Sequence, residues 1–185
     1  SLGIAHPLRT SYVPLANGND GSSIIKLLQL QKGEKIISIF ELGSFEEKHF
    51  LTLASANGQI KRLKLETLSV AKEGGINIMN LKDRDYVIGA RLTSGKQDVI
   101  MATREGMSIR FSEENVRDMG LTASGVRGIT LGPNDRVISL IALEKKNGKL
   151  LTVTNLGYGK RSELSEYRPI NRGGKGIITY RSEER

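Results

Sequence analysis

Three arginines recur at one spacing. Arg62, Arg110 and Arg161 each stand four residues after a glycine, at Gly58, Gly106 and Gly157. Lys61 and Lys160 precede two of them, and Ile109 precedes the third. Further cations lie in loops: Lys72, Arg117, Arg127, Arg168, Arg172 and Lys175. Cations spaced along an edge neutralise phosphates and release counterions, which gives affinity for a polyanion without reading its sequence. A formal net charge of +8 agrees with such a partner. Taken singly, each arginine is better explained by the solvated face of an alternating strand. Three in one register, with clustered loop cations, point to contact with a duplex backbone on successive structural units. Aromatic residues are only 5% of the chain and are not interleaved with the cations, which argues against stacking on single strands.

Other chemistry is thinly represented. The chain has no cysteine, so neither a disulfide framework nor a thiolate metal site is available. His6 and His49 are the only histidines, far apart and without a partner motif, and are expected in solvated loops. Glu34, Asp85 and Asp135 share one register, where turn or capping roles are expected rather than general-base chemistry. No serine sits in a nucleophile elbow. The loop Arg172 to Gly176 lacks the Walker spacing and is expected as a turn. No catalytic residue, cofactor or metal is expected.

The elements that carry the arginines are hairpins. Val99 to Val116 reads as an apolar strand, a turn at Arg104-Glu105-Gly106, and a second strand with Met107, Ile109 and Phe111 on one face. Leu51 to Leu68 has the same plan around Asn57-Gly58, and Leu150 to Tyr167 has it around Gly157. Asn57-Gly58 predicts a type I′ turn, with positive φ at both residues. Ser55, Thr103 and Thr154 stand three residues before the glycine, and Leu68, Val116 and Tyr167 ten after it. The glycines are 48 and 51 residues apart. A period near fifty, built from about four short strands, indicates a propeller-like array rather than a helical solenoid.

Taken in order, residues 1–23 read as the remainder of a preceding blade, with Gly3 in the glycine register and residues 16–23 as a loop. Residues 24–75, 76–128 and 129–176 are each read as one blade, with Lys35 to Leu42 a strand of the first. Residues 177–185 begin a truncated fourth, so the chain is expected to be part of a longer array. Lys145 to Gly148 is read as a turn, and Ser112 to Met119 is the best helical candidate, though short. No apolar run is long enough to span a bilayer, and no signal-peptide pattern opens the chain. The fold class is all-β.

GVRGITLGPNDRVISL, from Gly125 to Leu140, preceded by IRFSEENVRDMG from Ile109 to Gly120, resembles the C-terminal domain of the DNA gyrase A subunit. So do Gly157 to Arg161 followed by Glu166-Tyr167, and Ile24 to Leu28 leading to Glu34. The C-terminal domain of topoisomerase IV is similar but matches these strings less well. The resemblance implies a β-pinwheel of about three to four four-stranded blades, in which neighbouring blades exchange a strand. It further implies a DNA-wrapping module of a type IIA topoisomerase, which supports ATP-dependent negative supercoiling by the holoenzyme. Partners implied are double-stranded DNA, the remaining A-subunit domains and, through them, the ATPase B subunit, in the cytoplasm.

The expected DNA contacts are Lys61, Arg62, Arg110, Arg117, Arg127, Lys160, Arg161, Arg168, Arg172 and Lys175. Asn171 to Gly176 resembles the core of the family's signature box, but its Gly-Tyr-Gly-Lys-Arg context matches a later blade, so it is not given the box's role. The strand-cleaving tyrosine and the ATPase site of gyrase lie in other domains, and Tyr158 and Tyr167 inherit no catalytic role. Two other readings stand beside this one: a protein-contact propeller, and a ligand or metal site in a central channel. Leu, Ile, Val, Ala and Met dominate the inner strands and disfavour the latter.

Overall fold

The computed structural model describes residues 1–15, 18, 21–45, 48–145 and 147–181. The expected loop at 16–23 and the turn at 145–148 therefore lie partly outside the described residues, as does 182–185. Among the described residues, twelve strands run in chain order: β1 (Ile4–Ala5), β2 (Phe50–Ser55), β3 (Gln59–Lys64), β4 (Ile76–Asn77), β5 (Val87–Thr93) and β6 (Asp98–Thr103) come first. β7 (Met107–Ser112), β8 (Val126–Arg127), β9 (Val137–Leu143), β10 (Lys149–Val153), β11 (Gly159–Glu163) and β12 (Ile177–Ile178) follow. All pair antiparallel, in two four-stranded and two two-stranded sheets. The fold is all-β, with the propeller-like repeat expected of it.

The three hairpins form where the glycine register places them, as β2–β3, β6–β7 and β10–β11. Their turns differ from the expected type I′. Gly58 has φ +83°, but Asn57 is not among the residues with positive φ. The Gly58 N–H donates to Ser55 O at 3.1 Å, closing a longer loop with its single left-handed residue at the end. A three-residue loop ending in a bulge glycine satisfies the strand twist with one positive φ instead of two. The recurring hydroxyls hold the same turn: Ser55, Thr103 and Thr154 accept from the N–H of Gln59, Met107 and Tyr158 at 3.2–3.3 Å. Each outgoing arm then ends in a 3-10 turn, at Leu65–Val70, Glu113–Asn115 and Leu164–Glu166.

Each hairpin of the two larger sheets is completed by strands from later in the chain. β2–β3 gains β5 on one side and β8 on the other, and β6–β7 gains β9 and β12. The register repeats: Ile60 pairs Val126, Ser108 pairs Ile177 and Ala5 pairs Ile76. Ala5, Ile60 and Ser108 each stand two residues after the turn glycine, so Gly3 does belong to the series. A sheet therefore draws on neighbouring repeats rather than on one contiguous segment.

Strand exchange also explains a missing strand. Lys35 to Leu42 has the sequence position of β5 and β9, yet it is not a strand. By register its partner would be an arm ahead of Gly3, as β2 and β6 stand ahead of Gly58 and Gly106 and pair with β5 and β9. Only the edge of that pairing is present, where the Ser1 N-terminus donates to Lys35 O and Lys35 N–H donates to Ser1 Oγ at 3.0 Å.

Two apolar clusters fill the spaces between sheets. Ala54 and Ile60 pack with Val99, Met101, Ile109, Phe111 and Leu140, joining the first hairpin to the second. Leu51, Leu53, Leu63, Leu65 and Met79 form the other, with Phe40 and Leu42 packed against it. Burying a side chain of this size contributes about 1.5–3 kcal/mol. Because the β2–β3 and β6–β7 sheets have neighbours on both faces, β3 and β7 are buried at four consecutive positions instead of alternating with solvent.

Candidate nucleic-acid interface

The recurring arginines occupy the strand face opposite the apolar one, and in a radial array that face meets the next repeat rather than water. Arg62 and Arg110, expected on a basic rim, are accordingly buried, at 9% and 6% exposure, while Lys61, expected there too, is buried at 0% on the other face of β3, where it pairs with Leu53. Alternation identifies which residues share a face, and the arrangement of neighbouring sheets decides whether that face is wet.

Each buried cation is neutralised or hydrogen-bonded, as desolvated charge requires. Arg62 Nη2 lies 2.8 Å from Asp118 Oδ1, with Glu113 Oε2 3.9 Å from Nη1. Its guanidinium carbon stacks 4.5 Å from the Phe50 ring centroid, and its buried Nε has no hydrogen-bond partner among the described residues. Arg110 Nε and Nη2 donate to Asp98 Oδ2 at 3.0 and 2.7 Å, while Nη1 donates to Leu164 O and Tyr167 O. Lys61 Nζ donates to Leu121 O and Ala123 O at 2.8 and 2.9 Å, and burial lowers its pKa to about 8.

The recurring acids are turn residues. Asp85 Oδ1 accepts from the N–H of Asn57 and Tyr86, and Asp135 Oδ1 accepts from that of Glu105 and Arg136. Each thus pins the residue ahead of a turn glycine. Glu34 accepts from Gln31 N–H and from His6, whose Nε2 is 2.9 Å from Oε1. Burial alone would raise the Glu34 pKa, but the Gln31 N–H and His6 outweigh it and hold it below its ordinary value. His6 is 9% exposed at its side chain, against the expectation of a solvated loop, because it packs on that carboxylate. His49 is exposed. Among the described residues no cluster of His, Asp and Glu is arranged to hold a metal ion.

The remaining expected contacts lie at the surface. Arg117, Arg127, Lys160, Arg161, Arg168 and Lys175 are exposed, and Arg172 is half-buried. Arg161 shares the register of Arg62 and Arg110 but is exposed, with no hydrogen bond or ion pair among the described residues. Arg172 gathers the loop cations: its Nε donates to Asn115 O at 2.8 Å and its Nη1 to Arg127 O at 3.0 Å. Gly173 N–H donates to Gly128 O, and Thr130 Oγ1 donates to Gly173 O, closing the glycine loop onto the segment that follows β8. Beside it lies a shallow cleft of about 500 Å³ lined by Ser112, Asn115, Pro169, Ile170 and Asn171. Arg117 follows Asn115 by two residues, and Arg168 adjoins Pro169. Arg117, Arg127, Arg168, Arg172 and Lys175 are not ion-paired with any acid among the described residues.

Sequence reasoning missed Glu113. Its side chain is fully buried, accepting from Thr93 Oγ1 at 2.6 Å and Gln97 N–H at 2.8 Å, and Thr93 in turn meets Thr52. The signal was its register, since the matching positions in the other hairpins are Leu65 and Leu164. An acid in a series of buried leucines is a buried acid.

A family model described as the DNA gyrase C-terminal domain, beta-propeller, matches residues 49–94, 97–144 and 148–185. Each match opens within two residues of a hairpin. The DNA gyrase A subunit of Escherichia coli (strain K12) is 38% identical over 186 residues, covering 100% of this chain and 21% of that protein. That of Haloquadratum walsbyi is 35% identical over 191 residues, covering 100% and 22%. The chain thus spans about a fifth of the length of these relatives. Among solved structures, the C-terminal domain of DNA topoisomerase IV superposes with a TM-score of 0.81 at 25% identity, over 85% of this chain and 49% of that one. A DNA gyrase A C-terminal domain gives 0.79 at 24% identity, over 95% and 56%. With hairpins, strand order and matched segments coinciding along the chain, it belongs to the family of DNA gyrase C-terminal domains.

Proposed function

We propose that this chain is a DNA-binding and DNA-wrapping module of a type IIA topoisomerase. It holds the backbone of double-stranded DNA without reading sequence, and so supports ATP-dependent negative supercoiling by a holoenzyme. The observation that carries this reading is that Arg117, Arg127, Arg168, Arg172 and Lys175 have no acid paired to them among the described residues, with Arg172 bonded to Asn115 O and Arg127 O. Unpaired surface cations retain their full attraction for phosphate, whereas paired ones do not. Lys160 and Arg161 extend the exposed positive surface to the third hairpin.

Within that reading the chemistry belongs to other domains, and this one shapes the substrate. Its partners are then the remaining A-subunit domains and, through them, an ATPase B subunit in the cytoplasm. Wrapping is tested on a relaxed circular plasmid, closed by a nicking-closing enzyme in the presence of the chain and then deproteinised. A shift in linking number that grows with protein concentration supports wrapping. Binding without any shift reduces the role to simple DNA contact.

A second reading has an observation of its own. Leu151, Val153, Leu156 and Tyr158 are 59–67% exposed on the third hairpin, a patch suited to another protein surface.

A further inference from the structure

We propose that Arg62 and Arg110 are positioning residues that lock each blade to the next, and that they thereby set the path of a bound duplex without touching it. The part concerning DNA rests on the function proposed above.

Both arginines lie on the strand face that meets the following repeat. At each junction the lock has two points. The Met119 N–H donates to Arg62 O at 2.9 Å, and the Ile170 N–H donates to Arg110 O at 2.9 Å. The side chains then reach the same outgoing arms, Arg62 at Asp118 and near Glu113, and Arg110 at Leu164 O and Tyr167 O. Exchanged strands already join the repeats, and these two attachments fix the angle of the outgoing arm itself. A guanidinium suits this because its planar fork engages several acceptors at once, which an ammonium on a flexible stem does not.

The outgoing arms are also where the loop cations begin. Arg117 lies between Glu113 and Met119, and Arg168 lies between Tyr167 and Ile170. Tilting an arm therefore moves a proposed phosphate contact. The two junctions differ in chemistry. Arg62 ends on carboxylates of the next repeat, whereas Arg110 is neutralised by Asp98 of its own hairpin and reaches only neutral carbonyls. Salt screens partly exposed ion pairs more than buried ones, so the first junction is the salt-sensitive one.

The absence of cysteine allows spin labels to be placed at will. Ser69→Cys and Ser165→Cys put one on each of two exposed outgoing arms, and pulsed electron resonance reads the distance between them. The unmodified background should give one narrow distribution, lost in Arg62→Gln and in Arg110→Lys although circular dichroism is unchanged. Should Arg110 variants fail to fold, Asp98→Asn with Arg110→Gln removes both buried charges and leaves no stranded carboxylate. In parallel, resonance energy transfer between the ends of a labelled duplex should fall in the variants, while the slope of log affinity against log salt stays at the wild-type value. Retention of the narrow distance in every variant would overturn the lock. A slope flattened by about 0.9 per arginine would overturn it too, by making each a phosphate contact. If the wild-type chain binds no duplex, the wrapping reading fails while the spin-label distances still decide the lock.

Discussion

Arg110 and Asp98 face each other along the β6–β7 hairpin, 2.7 Å apart at Nη2 and Oδ2, with less than a tenth of either side chain exposed. Removing one member of such a pair strands a charge in the interior. Asp98→Ala should lower unfolding stability by about 3 kcal/mol. Asp98→Asn combined with Arg110→Gln should cost clearly less, because neither replacement is charged. Chemical denaturation of the two variants decides this, and equal losses would show that packing matters more there than charge.

The turn glycines separate backbone strain from crowding. Gly58 and Gly157 have nearly equal φ, +83° and +87°. A Cβ on Gly58 would lie 2.8 Å from Ile129 O, whereas one on Gly157 would meet nothing within 4 Å. Gly157→Ala should therefore cost only the left-handed penalty, about 1–2 kcal/mol. Gly58→Ala should cost distinctly more and should disturb the pairing of Ile60 with Val126. Thermal melts of both variants give the comparison, and equal shifts would place the glycine requirement in φ alone.

Lys61 makes stability depend on alkaline pH. Its folded pKa is about 8, against a reference of 10.5. Between these values the unfolded chain binds more protons than the folded one, so this group makes stability rise with pH across that window. Below pH 8 its contribution is constant and unfavourable. Lys61→Met should abolish the rise, as read by denaturant midpoints from pH 7.5 upward. An identical pH profile in the variant would mean that Lys61 is not desolvated as its burial indicates.

The repeat and its hairpins were legible because each turn demands a glycine at one place and a hydroxyl three residues earlier, and side-chain chemistry of that kind is local. The Gly3 register was legible from the same glycine spacing. Three features were not. Asn57-Gly58 suggests a two-residue turn, and only the reach of Gly58 N–H to Ser55 O reveals the longer loop. Lys35 to Leu42 has the composition of a strand, but strand identity in an exchanged sheet belongs to the pair, and of that pair only the Ser1–Lys35 contacts are described. The strand period assigned Arg62 and Arg110 correctly to one face and said nothing about what that face meets. At the surface, Arg117 and Arg168 were legible as loop cations, whereas the bonds by which Arg172 draws Asn115 and Arg127 together connect residues 57 and 45 apart in sequence.

On the proposed function, loop cations rather than the buried arginine register hold a duplex by its phosphates. The most direct measurement is duplex affinity against salt for the wild-type chain and for the triple variant Arg117→Gln, Arg127→Gln, Arg168→Gln. Three lost phosphate contacts should flatten the slope of log K against log salt by about 2.7, at roughly 0.9 each. The change should be the same for unrelated duplex sequences, because phosphate contacts carry no base information. A triple variant that folds and keeps the wild-type slope would contradict the account.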